Sequence, residues 1–173
     1  MPRAAIGGSR IRQRTAVLAI LASLFGSLLW TAPPASAALQ TIGTDFWLAF
    51  DQNLGTPELT VFISGGTATT GEVTPFGLAA IPFSVTPGTV TSVPVPASFM
   101  VDIADGVQDK GIHVTAGAPV AVYGLNRVQF TTDAFLAIPT TEGATSFRAL
   151  SYATSGRGGG IGVVATQNGT TIT

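Results

Sequence analysis

Few residues in this chain can do chemistry. There is one histidine, His113, and no cysteine. His113 lies in "KGIHVTAGAPVAVYGLN" (Lys110 to Asn126), flanked by two apolar runs. Alternate side chains of a strand face opposite ways, so Ile112 and Val114 share one face while His113 and Thr115 share the other. Ala116-Gly117-Ala118-Pro119 reads as a turn, after which Val120 and Val122 resume the inward face. His113 is therefore expected to point outward as a solvated strand residue. A catalytic or metal role would need a partner, and one histidine cannot make a His-rich metal site. The lack of cysteine removes thiolate zinc sites, cysteine nucleophiles and lipid attachment through a thiol.

The carboxylates offer two further arrangements. Asp102, Asp105 and Asp109 in "VDIADGVQDKG" form the densest acidic stretch, and three carboxylates in one loop suit Ca²⁺. Their spacing is not that of an EF-hand loop, and an Asp-Gly turn at Asp105-Gly106 explains them more simply. Asp45, Asp51 and Asp133 each neighbour aromatic or apolar residues, and two such acids across a cleft would suit glycoside hydrolysis. No G-x-S-x-G elbow follows residue 37. "SGRGGGIG" (Ser155 to Gly162) has neither phosphate-loop spacing and reads as a flexible hairpin loop. Asn168-Gly169-Thr170 fits both an N-glycosylation sequon and a plain turn. Phe46 and Trp47 are adjacent, so one is expected in the core, and the other is either exposed for sugar or protein contact or, as is more common, buried under a neighbouring strand. No motif reaches a reaction: no catalytic residue, cofactor or metal is assigned, and Trp47, His113 and Arg157 are the candidate binding surface.

The elements that must position these residues are short strands. "DFWLAF", "ELTVFIS", "IPFSVT", "GTVTSVPVP", "KGIHVT", "PVAVYGLN", "FLAIPT", "FRALSYAT" and "IGVVAT" alternate and are rich in Val, Ile, Phe and Thr. Gly- and Pro-bearing turns separate them, "SGGTATTG" and "TPG" among them. Only "PASFMVDIAD" (Pro96 to Asp105) offers a helical turn. The pattern predicts an all-β, antiparallel β-sandwich-like module.

The N-terminus is read as a secretory signal helix. Arg3, Arg10, Arg12 and Arg14 precede a 15-residue apolar run, Ala16 to Trp30, and Ala35-Ser36-Ala37 has the small-x-small form of a cleavage site. Residues 1–37 are thus expected to be removed and the remainder to be secreted or displayed on the cell surface. Membrane contact is then confined to the leader. From residue 38 onward, four basic residues face nine acidic ones, a net of −5. That balance argues against nucleic acid, which needs clustered cations.

"LAFDQN" (Leu48 to Asn53) is echoed by "VVATQN" (Val163 to Asn168). Residues 38–160 are expected to form the main module and 161–173 to open a second, truncated one. The Asn168-Gly169 hairpin signal leaves a returning strand that stops at Thr173, a candidate edge for strand addition by a partner.

Four stretches, taken in order, resemble the N-terminal domain of immunoglobulin G Fc-binding proteins. They are "GTDFWLAFDQN" (Gly43 to Asn53), Lys110 to Asn126, "TTDAFLAIPT" (Thr131 to Thr140) and "IGVVATQNGTTIT" (Ile161 to Thr173). The family usually has "LG-x-EY" where this chain reads "TEGATSF" (Thr141 to Phe147), so it is similar to a divergent, bacterial-type member. The resemblance implies a longer β domain that continues past Thr173. It carries over neither Fc binding nor any catalytic residue.

The function expected is non-enzymatic binding or adhesion to an unknown protein or glycan. The alternatives are a carbohydrate-binding or carbohydrate-active β-sandwich protein using Asp45 or Asp133, and a fragment without independent function.

Overall fold

Two-residue alternation, repeated along every element, builds an all-β structure with one apolar face. A computed structural model describes residues 40–102, 106–143, 146, 148 and 161–173. Residues 1–37, expected above to be a leader, lie outside the described residues, as do Asp105, Arg157 and most of "FRALSYAT". The strands are β1 (Gly43–Leu48), β2 (Glu58–Ser64), β3 (Thr69–Pro75), β4 (Ile81–Val85), β5 (Thr91–Val95), β6 (Ile112–Val128) and β7 (Thr131–Leu136). They form a nearly closed antiparallel sheet. Short 3-10 turns cover Ala97–Phe99, within the one stretch that offered a helical turn, and Thr140–Glu142.

The frame is β6. Its first half is flanked by β1 and β3, its second half by β2 and β7. β2 and β3 lie end to end along β6, with Ser64 opposite Ala121 and Gly71 opposite Ala116. β4 and β5 run back along them in the same way, with Val85 opposite Thr69 and Thr91 opposite Ile63. The breaks at Gly65–Ala68 and Thr86–Val90 therefore fall beside Ala116–Pro119, and the sheet bends there. Inward side chains of both halves then meet in one core that includes Phe46, Leu59, Val61, Ile63, Val73, Phe83, Val93 and Ile112. Burying each such side chain contributes roughly 1.5–3 kcal/mol relative to exposure.

The turn expected at Ala116–Pro119 is not formed; β6 passes through it. The inward positions of β6 keep one parity from Ile112 and Val114 through Val120 and Val122 to Gly124 and Asn126. A true turn would have broken that parity. Gly117 and Pro119 instead make a bulge, in which residues 116 to 119 stand opposite the single Thr44 of β1. Two other expectations are also corrected. Of "SGGTATTG", read as a turn, the last three residues (Thr69, Thr70 and Gly71) open β3, while "IGVVAT" is not a strand. The turn at Asn168-Gly169 does form, with Gly169 at φ 81° and Thr170 Oγ1 donating to the Gln167 carbonyl (2.8 Å), but neither flank of it is a strand.

Asn126 is the one polar residue in the described core, 3% exposed. Its Nδ2 donates to the Asp51 carbonyl (2.8 Å), its Oδ1 accepts from Asn53 Nδ2 (3.1 Å), and Thr131 Oγ1 donates to Asn53 Oδ1 (2.6 Å). This network ties the chain after β1 to the start of the β6–β7 hairpin. The hairpin turns through Gln129 and Phe130, with Val128 opposite Thr131. Phe130 takes φ 73°, the left-handed region that a bulky side chain avoids, and is 94% exposed. Such a conformation costs of order 1–3 kcal/mol, and no packing around the ring offsets it.

Two substitutions test this account. At Gly71 a Cβ would lie 2.2 Å from the Thr115 carbonyl and 2.3 Å from the Phe83 ring, whereas at Gly66 it would meet nothing within 4 Å. Gly71→Ala should destabilise by about 2 kcal/mol or more, and Gly66→Ala by under about 0.5 kcal/mol, in urea unfolding. Phe130→Gly should raise Tm by a few degrees, roughly a net 0.5–1 kcal/mol once the entropy of the unfolded glycine is counted.

Candidate functional site

On β1 the side chains of Phe46 and Leu48 point into the core, so Asp45 and Trp47 point out. On β6, Ile112 and Val114 point in, so His113 and Thr115 point out. The ladder sets Trp47 opposite His113 and Asp45 opposite Thr115. The indole and imidazole rings stack, with centroids 4.4 Å apart and planes 12° from parallel. His113 then reaches diagonally to Asp45, its Nε2 donating to Oδ2 at 2.8 Å, a distance that diagonal cross-strand pairs routinely span. Thr140, brought in by a bridge between Phe46 and Pro139, donates from Oγ1 to Asp45 Oδ1 (2.8 Å) and lies 3.3 Å from the Asp45 carbonyl. On the other flank of β6, β3 places Thr74 opposite His113 and Glu72 opposite Thr115.

The expected solvated histidine is thus on the expected face, but it is held on two sides. Its side chain is 31% exposed and that of Asp45 is 42% exposed. Burial pushes the Asp45 carboxyl up. The hydrogen bonds from His113 and Thr140, with the charge of a protonated His113, outweigh that and hold it below its ordinary value. An ionised carboxylate only accepts, so the proton of a neutral His113 ring resides on Nε2 and leaves Nδ1 as an acceptor. No described residue bonds Nδ1. The constellation can accept hydrogen bonds at Nδ1 and at carboxylate oxygens, and it offers an aromatic surface at the half-buried Trp47.

The other sequence candidates are dispersed. Asp133 lies opposite Asn126 on the second half of β6, and Asp51 accepts from the Gln52 amide (2.8 Å), so neither meets Asp45. In the acidic loop Asp102 pairs with the Gln108 side chain. Among the described residues no three histidine, aspartate or glutamate side chains converge to hold a metal ion. Thr140, Thr74 and Glu72 were not singled out from sequence. For Glu72 and Thr74 the signal was present: in "TTGEVTP" Gly71, Val73 and Pro75 alternate with them as the inward set. For Thr140 there was none, because its approach to Asp45 spans 95 residues.

No family model matches the chain, and no curated protein or solved structure matches it either.

The lowered Asp45 value gives a pH dependence of definite sign. Well above the carboxylate range both folded and unfolded chains are ionised and the pair contributes in full. As pH falls the unfolded chain protonates first, so the contribution is lost as pH drops through the lowered folded value. Because the pair is partly exposed, its worth is under about 1 kcal/mol. Asp45→Asn should lower Tm at neutral pH, and its deficit should shrink as pH falls through and below the carboxylate range, read by thermal melts across that range. An equal deficit at both ends would show that the carboxylate charge is not the source.

Proposed function

We propose that the chain is a secreted or cell-surface, non-enzymatic binding or adhesion module with a β-sandwich-like arrangement, of the kind its resemblance to the immunoglobulin G Fc-binding N-terminal domain suggests. Its ligand, a protein or a glycan, contacts the outward face of β1, β6 and β3 around Trp47 and His113. The observation that carries this reading is the Trp47–His113 stack braced by Asp45 and Thr140. An aromatic pair on a strand face, with His113 hydrogen-bonded to Asp45 and Asp45 in turn held by Thr140, is preorganised for contact and loses little freedom on binding. Arg157 lies outside the described residues and is not added to this face. A partner strand laid against residues 161–173, which form no strand within the chain, is a second contact route.

One observation favours the carbohydrate reading in particular. Trp47 is half-buried beside a carboxylate rather than sunk in the core, which is occupied by its neighbour Phe46. A pyranose ring stacks on such a surface while its hydroxyls donate to Asp45 and to Nδ1 of His113.

Trp47 is the only tryptophan after residue 37, so its fluorescence reports on this face. Titration with a panel of glycans and with candidate extracellular proteins should shift the emission for one class. Trp47→Ala and His113→Ala should then each weaken that binding by at least about tenfold, equivalent to 1.4 kcal/mol, while Thr132→Ala in the other half of the sheet leaves it unchanged. Binding that survives both face substitutions would overturn the assignment of the face.

A further inference from the structure

We infer that the ligand of the Trp47–His113 face is a glycan bearing free amino groups, a chain of deacetylated amino sugars, with its ammonium groups at Asp45 and Glu72. The inference rests on the glycan reading above and adds the charge and the reach of the occupant. In the first half of the sheet β1, β6, β3 and β4 lie side by side in that order. Asp45 on β1 and Glu72 on β3 both stand opposite Thr115 of β6. Their strands are two ladder spacings apart, about 10 Å. That span is comparable with the disaccharide repeat of a 1,4-linked chain, in which every second residue presents its amino group to the same side.

Both carboxylates can take a further donor. The oxygens of Asp45 accept from His113 Nε2 and Thr140 Oγ1, and an ionised carboxylate has about four acceptor sites. Glu72 is exposed and forms no hydrogen bond or ion pair among the described residues. No described lysine or arginine pairs with either acid, so the charge of this face is left for a cation from outside. The acids also border a place for a ligand. A trough of about 640 Å³ opens over β6, β3 and β4. Glu72 is the one charged residue on its walls; Thr70, Ser84 and Thr115 add hydroxyls, and glycine, alanine, proline and Phe83 make up the rest. Trp47 on β1 stands three ladder spacings from β4, about 14 Å, so trough and indole together are longer than one pyranose ring. A basic peptide is the poorer occupant: β6 and β3 are paired on both sides and leave it no free backbone to join.

The test is calorimetric titration of the purified protein at about pH 6, where carboxylates are ionised and sugar amines largely protonated. The probes are β-1,4-linked hexamers of glucosamine, N-acetylglucosamine and glucose, which differ only in the group at carbon 2. The glucosamine hexamer should bind at least about tenfold more tightly than the other two. Glu72→Gln should cut that preference by about fivefold, whereas Glu58→Gln, which removes the same charge from the other half of the sheet, should leave it unchanged. Equal, Trp47-dependent binding of all three hexamers would overturn the amine assignment and leave the glycan reading standing. Binding of none, or binding indifferent to Trp47→Ala, would overturn both. A preference reduced as much by Glu58→Gln as by Glu72→Gln would show attraction to net charge alone and overturn the site, as would binding of hexalysine in place of every hexamer.

Discussion

Everything described depends on one strand keeping its phase. Four of the six strand pairings use β6, and they do so in two sets, one on each side of a bulge. If the bulge shifted the alternation by one residue, the half beyond it would turn Val120 and Val122 to solvent and Ala121 and Tyr123 to the core. It does not, because the four residues opposite Thr44 are an even number and the inward set resumes in step. The same bulge lets a continuous ladder bend, so that two sheet halves share one core without a loop between them.

The outward face around Trp47 and His113 is a by-product of that register. Trp47 and His113 stack because the ladder makes them direct neighbours, and His113 reaches Asp45 because the diagonal pair is within hydrogen-bond range. Thr140 then fixes the far oxygen of Asp45 from a 3-10 turn that is itself located by the Phe46–Pro139 bridge. A change in the core at Phe46 would therefore reach the face through the backbone on either side. The face has little energy of its own and relies on the core for its geometry.

How much of this the residues disclose depends on distance along the chain. The all-β class, the span of β2 and the outward side of His113 follow from alternation over a few residues and hold. The division of β6 failed because Gly and Pro at 116–119 were weighed as local turn formers, while the unbroken parity on both sides was the stronger signal. β3 was passed over because its threonines and Gly71 look like loop composition; its inward set of Gly71, Val73 and Pro75 is thin, and Phe83 fills the space above Gly71. The partners of His113 were not legible. Asp45 lies 68 residues away and Thr140 lies 95 residues from Asp45, and nothing local encodes such meetings. They become visible only once the ladder is known.

The position of β6 in chain order sets the timing of folding. β1, β2 and β3 each take their ladder with β6, which follows all of the first five strands and begins at Ile112. Wherever the polypeptide emerges from its N-terminus, the first five strands leave with at most the β3–β4 hairpin and the β2–β5 pairing available to them. They have no lasting home for Phe46, Val61 or Val73 until the late strand arrives. The apolar faces stay open until β6 has been made, and closure is dominated by contacts of long sequence separation, a topology that folds slowly. Pro82 and Pro94, set in the outer strands β4 and β5, are suited to that interval: each removes a backbone donor from an edge that would otherwise template pairing with another unfinished chain.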